Sequence, residues 1–123
     1  MIEIDVVSIL KEDSEIFSRE KITHVCTVKE GMTLLAALAI QIADENMLFE
    51  DALLFSKDSR DVDGMIKTAI SHFHLKGISK SFYNCNNSIL KEYFDKVDIL
   101  KQSSKGYMSF QVADFIESTR CRH

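Results

Sequence analysis

At 123 residues, with 46% hydrophobic and 28% charged side chains, the chain fits one folded domain and excludes a disordered or fibrous segment. Its net charge of -4 is uneven: residues 1–60 carry 12 acids against 6 bases, and residues 61–123 carry 7 against 9. Nucleic-acid binding draws on clustered Lys and Arg, so an acidic first half argues against a phosphate backbone as its partner, and the spaced lysines of the second half (Lys67, Lys76, Lys80, Lys91, Lys96, Lys101, Lys105) read as a solvated surface.

Ile2, Ile4 and Val6 alternate with Glu3 and Asp5, the period-2 pattern of a half-buried strand. The start has no basic, long-apolar leader, so no signal peptide is expected. Lys11 to Glu15 reads as a turn or exposed excursion. Lys21 to Val28 resumes strand chemistry with Ile22, Thr23, Val25, Thr27 and Val28, and the two segments read as a hairpin. Gly31 then breaks the strand, and Thr33 predicts the cap of a helix beginning at Leu34, with Leu35, Leu38 and Ile42 on one face. The apolar stretch Met32 to Ala43 falls far short of the ~20 residues that span a bilayer. Leu53 to Phe55 has strand character, and Ser56 to Gly64 reads as a charged loop.

In the second half, Met65, Ile66, Ala69, Ile70 and Phe73 follow helical spacing. Gly77 to Tyr83 reads as a strand. Asn87 or Ser88 predicts the cap of a helix whose face is Ile89, Leu90, Tyr93, Phe94, Val97 and Leu100. Tyr107 to Phe110 reads as a strand and Val112 to Ser118 as a last short helix. The predicted order is β-β-α-β followed by α-β-α-β-α, a mixed α/β (α+β) fold.

The stretch Val28-Lys29-Glu30-Gly31-Met32-Thr33-Leu34-Leu35-Ala36-Ala37-Leu38 resembles a motif of plant-type two-iron ferredoxins. It is most similar to the N-terminal domain of the succinate dehydrogenase and fumarate reductase iron–sulfur subunits. The resemblance implies a β-grasp, ferredoxin-like mixed sheet over residues 1–65, with residues 66–123 as an α/β extension packing on it within a single domain. It also implies that Asp51 to Ser56 leads into a cluster-binding loop. There Ser59-Arg60 stands where Cys-Arg would be, and Asp63-Gly64 where Cys-Gly would be. No cysteine lies between Cys26 and Cys85, so the loop lacks the thiolates that a two-iron cluster needs.

Other chemistry-bearing residues are sparse. His72, His74 and Cys85 offer three soft or borderline ligands where a structural zinc site wants four. Cys121 and His123 form a second possible pair, flanked by Arg120 and Arg122, which would make the thiol more acidic. His24 and Cys26 share a strand face as a possible dyad, without an evident third group to orient them. Asp58, Asp61 and Asp63 fail the calcium-loop pattern, because Arg60 stands at its third position and Asp63 at its sixth. No Gly-rich phosphate loop and no Ser-centred elbow is present. Three widely spaced cysteines suit a reducing, cytoplasmic setting.

Together these readings point to a cytoplasmic, non-enzymatic interaction module on a β-grasp that has lost its cluster, with no cofactor. Its expected partner is a protein of basic character, with no nucleic acid and no membrane involved. The alternative is a redox or metal-binding protein using Cys85 or Cys121 with nearby histidines.

Overall fold

The computed structural model describes residues 1–8 and 21–119. In chain order they form β1 (Ile2–Ser8), β2 (His24–Glu30), β3 (Thr33–Ala43), β4 (Asn46–Leu54), α1 (Ser59–His74), β5 (Lys80–Asn84), α2 (Ser88–Asp95), β6 (Gln102–Ser104), β7 (Tyr107–Gln111) and α3 (Val112–Thr119). The strands make one sheet in the order β1-β2-β3-β4-β5-β7-β6. Neighbours run antiparallel except β4 and β5, which α1 joins as a crossover between parallel strands.

The mixed α/β class predicted from sequence is the one observed. The β-grasp is not: β1 to β4 form four consecutive antiparallel strands, with β3 where a helix from Leu34 was expected. The residues expected to form an extension supply β5, β7 and β6 to the same sheet. The predicted hairpin pairing of β1 with β2 is present, but the excursion at Lys11 to Glu15 lies outside the described residues.

Burial on both faces explains the misread strand. Ala36, Ala37, Leu38, Ala39 and Ile40 are all fully buried, so β3 shows no polar alternation. Ala36, Leu38 and Ile40 face the helix-covered core. Ala37 and Ala39 join Ile22 and Val25 in a second cluster. A run of small and aliphatic residues that mimics a helix face is therefore the centre of a sheet. The turns add to the ambiguity. Gly31, at φ 61, opens a two-residue turn between β2 and β3, and the β3–β4 turn places Asp44 and Glu45 at φ 51 and 70 without any glycine.

The main core lies between the sheet and its helices. Met65, Ile66, Ala69, Ile70 and Phe73 of α1 enter it, and Phe94 of α2 stacks on Tyr83 with ring centres 4.3 Å apart. Phe94 also meets Phe49, Phe110 and Phe115, which ties α2, β4, β7 and α3 together. Gly64 allows α1 to lie close on β1, because a Cβ there would sit 2.9 Å from Ile4 Cδ1. Among the described residues no helix is long and apolar enough to cross a membrane.

Ala39 is 0% exposed on a face lined by Ile22, Val25 and Ala37. Ala39→Leu should therefore overpack the site and cost about 1–3 kcal/mol in denaturant unfolding. An unchanged midpoint would show that β3 is not enclosed on that side.

Candidate functional site

The sheet opens where its single parallel pair ends. Pairing of β4 with β5 runs from Asn46↔Lys80 only to Phe49↔Tyr83. At that point β4 carries a bulge: Ile40 pairs with Phe49 and Ala39 with Asp51, which leaves Glu50 as the extra residue. A bulge bends its strand and re-aims side chains, and here it turns β4 away from β5. In open α/β sheets the crevice beyond the carboxyl ends of parallel strands is where ligands bind.

Asparagines anchor the margins of this opening. Asn84 Nδ2 donates to Glu50 O at 3.1 Å. Asn87 Nδ2 donates to Asp51 Oδ1 at 2.5 Å and to Ala52 O at 3.2 Å. The Asn87 oxygen accepts from Leu90 N at 3.0 Å, so one side chain caps α2 and fastens it to β4. These bonds replace the ladder contacts that β5 no longer makes.

Glu50 is 5% exposed and accepts a hydrogen bond from Tyr107 OH on β7. Met108 and Phe110 of β7 pack into the helix-side core, so Tyr107 and the carboxylate it holds stand on the opposite face of the sheet. A buried carboxylate beside a split between strands is chemically conspicuous, since such a group is retained only where it is bonded.

On the helix side, a cleft of about 240 Å³ lies between α1 and α2, lined by Leu54, Val62, Asp63, Ile89, Tyr93 and Lys96 among others. Tyr93 OH donates to Asp63 Oδ1 at 2.7 Å, and Lys67 Nζ lies 3.1 Å from Asp63 Oδ2. Burial, aided by the Asp63 carboxylate, pushes the Tyr93 hydroxyl well above its ordinary range and keeps it a proton donor.

The residues singled out in sequence are distributed differently from expectation. Ser59, Arg60, Asp63 and Gly64, read as a degenerate cluster loop, occupy the first turns of α1. Asp58 caps that helix by accepting from Arg60 N at 3.0 Å and pairs with the Arg60 side chain at 2.9 Å. His72 and His74 lie in the last turn of α1, while Cys85 follows β5 at its far end, so the three are not brought together. Among the described residues no group of three or more His, Cys, Asp or Glu is placed to hold a metal.

His24 and Cys26 engage separate partners. The His24 ring packs edge-on against Phe73 and shares a 2.9 Å bond with Thr23 Oγ1. The Cys26 thiol donates to Met65 O at 3.5 Å, and burial pushes it up to about 12. Cys121 and His123 lie outside the described residues. Glu50 and Tyr107 were missed in sequence because their partnership spans 57 positions and carries no local motif.

No family model matches this chain, and no curated protein does either. Solved structures do. A Staphylococcus aureus N-acetyltransferase is similar with a TM-score of 0.61 at 18% identity, covering 92% of this chain and 99% of its own. The ribosomal-protein-S18-alanine N-acetyltransferase of Escherichia coli gives 0.63 at 8% identity over 91% and 94%. The PaiA N-acetyltransferase of Thermoplasma acidophilum, solved in complex with coenzyme A, gives 0.58 at 14% identity over 71% of this chain, which spans 59% of that protein. The fold is thus that of the GNAT N-acetyltransferases. This corrects both the ferredoxin-like resemblance and the reading as a non-enzymatic module, since the structures it matches are enzymes; the redox or metal-binding alternative finds no support either.

Two measurements check this geometry. Asn87→Ala removes the α2 cap and both ties to β4 and should cost about 1–3 kcal/mol, with faster amide exchange in β4; unchanged exchange would show that the asparagine does not hold the opening. The Cys26 thiol should resist a chromogenic disulfide at pH 8 until the protein unfolds. Its folded value lies above the ordinary 9.0, so its contribution to stability is complete below pH 9 and is lost as pH rises toward about 12. Rapid labelling of native Cys26 would contradict that burial.

Proposed function

We propose that this chain is an acyltransferase that moves an acyl group from a thioester to an amine, using Glu50 as general base. The observation that carries the proposal is the 5% exposed carboxylate of Glu50, placed on the bulge where β4 and β5 part. The fold supports it, being that of N-acetyltransferases, one of them solved with coenzyme A.

In this reading the thioester enters the opening beyond Phe49 and Tyr83. Glu50 takes a proton from the attacking amine, the new C–N bond forms, the C–S bond breaks, and the thiolate departs and is protonated from water. Tyr107 holds one oxygen of Glu50, which orients the carboxylate and leaves the other oxygen to act on the amine. A cytoplasmic setting belongs to the same proposal, supported by the free thiols Cys26 and Cys85.

The test is thiol release from acetyl thioesters in the presence of a panel of primary amines, with product masses recorded. Glu50→Gln keeps an acceptor for Tyr107 but removes the base, and should lower kcat by roughly 10²–10⁴-fold with the fold intact by circular dichroism. Full activity in Glu50→Gln would remove Glu50 from the chemistry. Absence of acyl transfer from every thioester would overturn the proposed reaction.

A further inference from the structure

The helix that follows β4 is where an α/β crevice would take a phosphate, because the first turn of a helix presents unpaired N–H groups and the positive end of its dipole. In this chain that turn is already occupied by its own side chains. Asp58 accepts from Arg60 N and is clasped by the Arg60 guanidinium. Asp61 is 7% exposed and accepts from Ser56 Oγ at 2.5 Å. Asp63 presents a third carboxylate to the cleft, pinned between Tyr93 on α2 and Lys67 one turn along α1.

A phosphate cradle also needs a residue without a side chain where backbone and phosphate meet. The glycine of this segment is used elsewhere, because Gly64 faces Ile4 on β1 and not the cleft. Three of the cations nearby have acidic neighbours: Arg60 pairs with Asp58, Lys67 with Asp63, and Lys96 lies 4.0 Å from Glu92, while Lys57 stands exposed just before the cap. The diphosphate of coenzyme A therefore does not fit this helix terminus. What remains is a cleft of about 240 Å³ with Leu54, Val62 and Ile89 on its walls, smaller than the ~300 Å³ at which pockets for drug-sized ligands begin. Its apolar walls suit a slender, uncharged arm.

We infer that this protein recognises its thioester donor by the pantetheine arm alone, and that the nucleotide diphosphate of coenzyme A contributes nothing to binding. The inference rests on the proposed acyl transfer and specifies its donor: a pantetheine-linked thioester, whether free or carried on a protein that presents the arm without a nucleotide. The carboxylates of α1, Asp63 foremost, are what exclude the diphosphate.

The experiment compares acetyl-pantetheine with acetyl-coenzyme A on the full chain, by calorimetric Kd and by kcat/KM with one amine. Equal or tighter binding of acetyl-pantetheine is expected, with kcat/KM for the two within about threefold. Asp63→Gly and, as a milder change, Asp63→Asn should each raise the affinity for coenzyme A relative to that for acetyl-pantetheine by about tenfold or more. A wild-type preference for acetyl-coenzyme A of about a hundredfold, or loss of coenzyme A affinity in both Asp63 variants, would overturn the inference while leaving acyl transfer in place. Failure of both thioesters to bind would overturn the proposed function and this inference with it.

Discussion

The separation of β4 from β5 is the constraint on which the rest of the molecule turns. Two parallel strands joined by a crossover helix pair over four residues and then part at an extra residue, Glu50. The backbone groups exposed by that parting must be satisfied, and the Asn84 and Asn87 side chains do so. Asn87 also starts α2, so the position of α2, and with it the cleft against α1, follows from the same local event. The aromatic stack around Phe94 then fixes α2 over β4, β5 and β7, making the opening a rigid feature of the core and not a property of loops.

Much of the fold was legible where periodicity was clean. The alternation in Ile2 to Val6, the helical spacing from Met65 to Phe73, the Asn87 cap and the strand at Tyr107 all correspond to observed elements. The central strand β3 was not legible, because both of its faces are buried and its alanines carry the composition of a helix. That one misreading produced the β-grasp, since a hairpin followed by a helix and a strand is what the fold would show if residues 34–43 were helical. The Asp44-Glu45 turn, which closes a two-residue hairpin without glycine, gave no contrary signal. The short, fully exposed β6 carried no apolar pattern at all.

The candidate site was almost invisible in sequence. Its carboxylate and its tyrosine are 57 positions apart, and the bulge that unites them depends on pairing register, which local residue types do not encode. In sequence the acids of Ser56 to Gly64 read as a charged loop. Placed on the first turns of α1 they acquire a specific meaning, because carboxylates stabilise a helix terminus and at the same time exclude another anion from it. In the proposed reaction, helix stability and donor choice would be set by the same side chains.

The central claim is that a thioester enters where β4 and β5 part. The most direct measurement is a titration of the isotope-labelled protein with acetyl-pantetheine, followed through its backbone amide resonances. The account predicts the largest shifts at Glu50, Asp51, Asn84 and the cleft residues Leu54, Val62 and Tyr93, with Asp44, Glu45, His72 and His74 at the opposite end of the fold unmoved. Shifts confined to that opposite end, or no shifts at any residue, would contradict it.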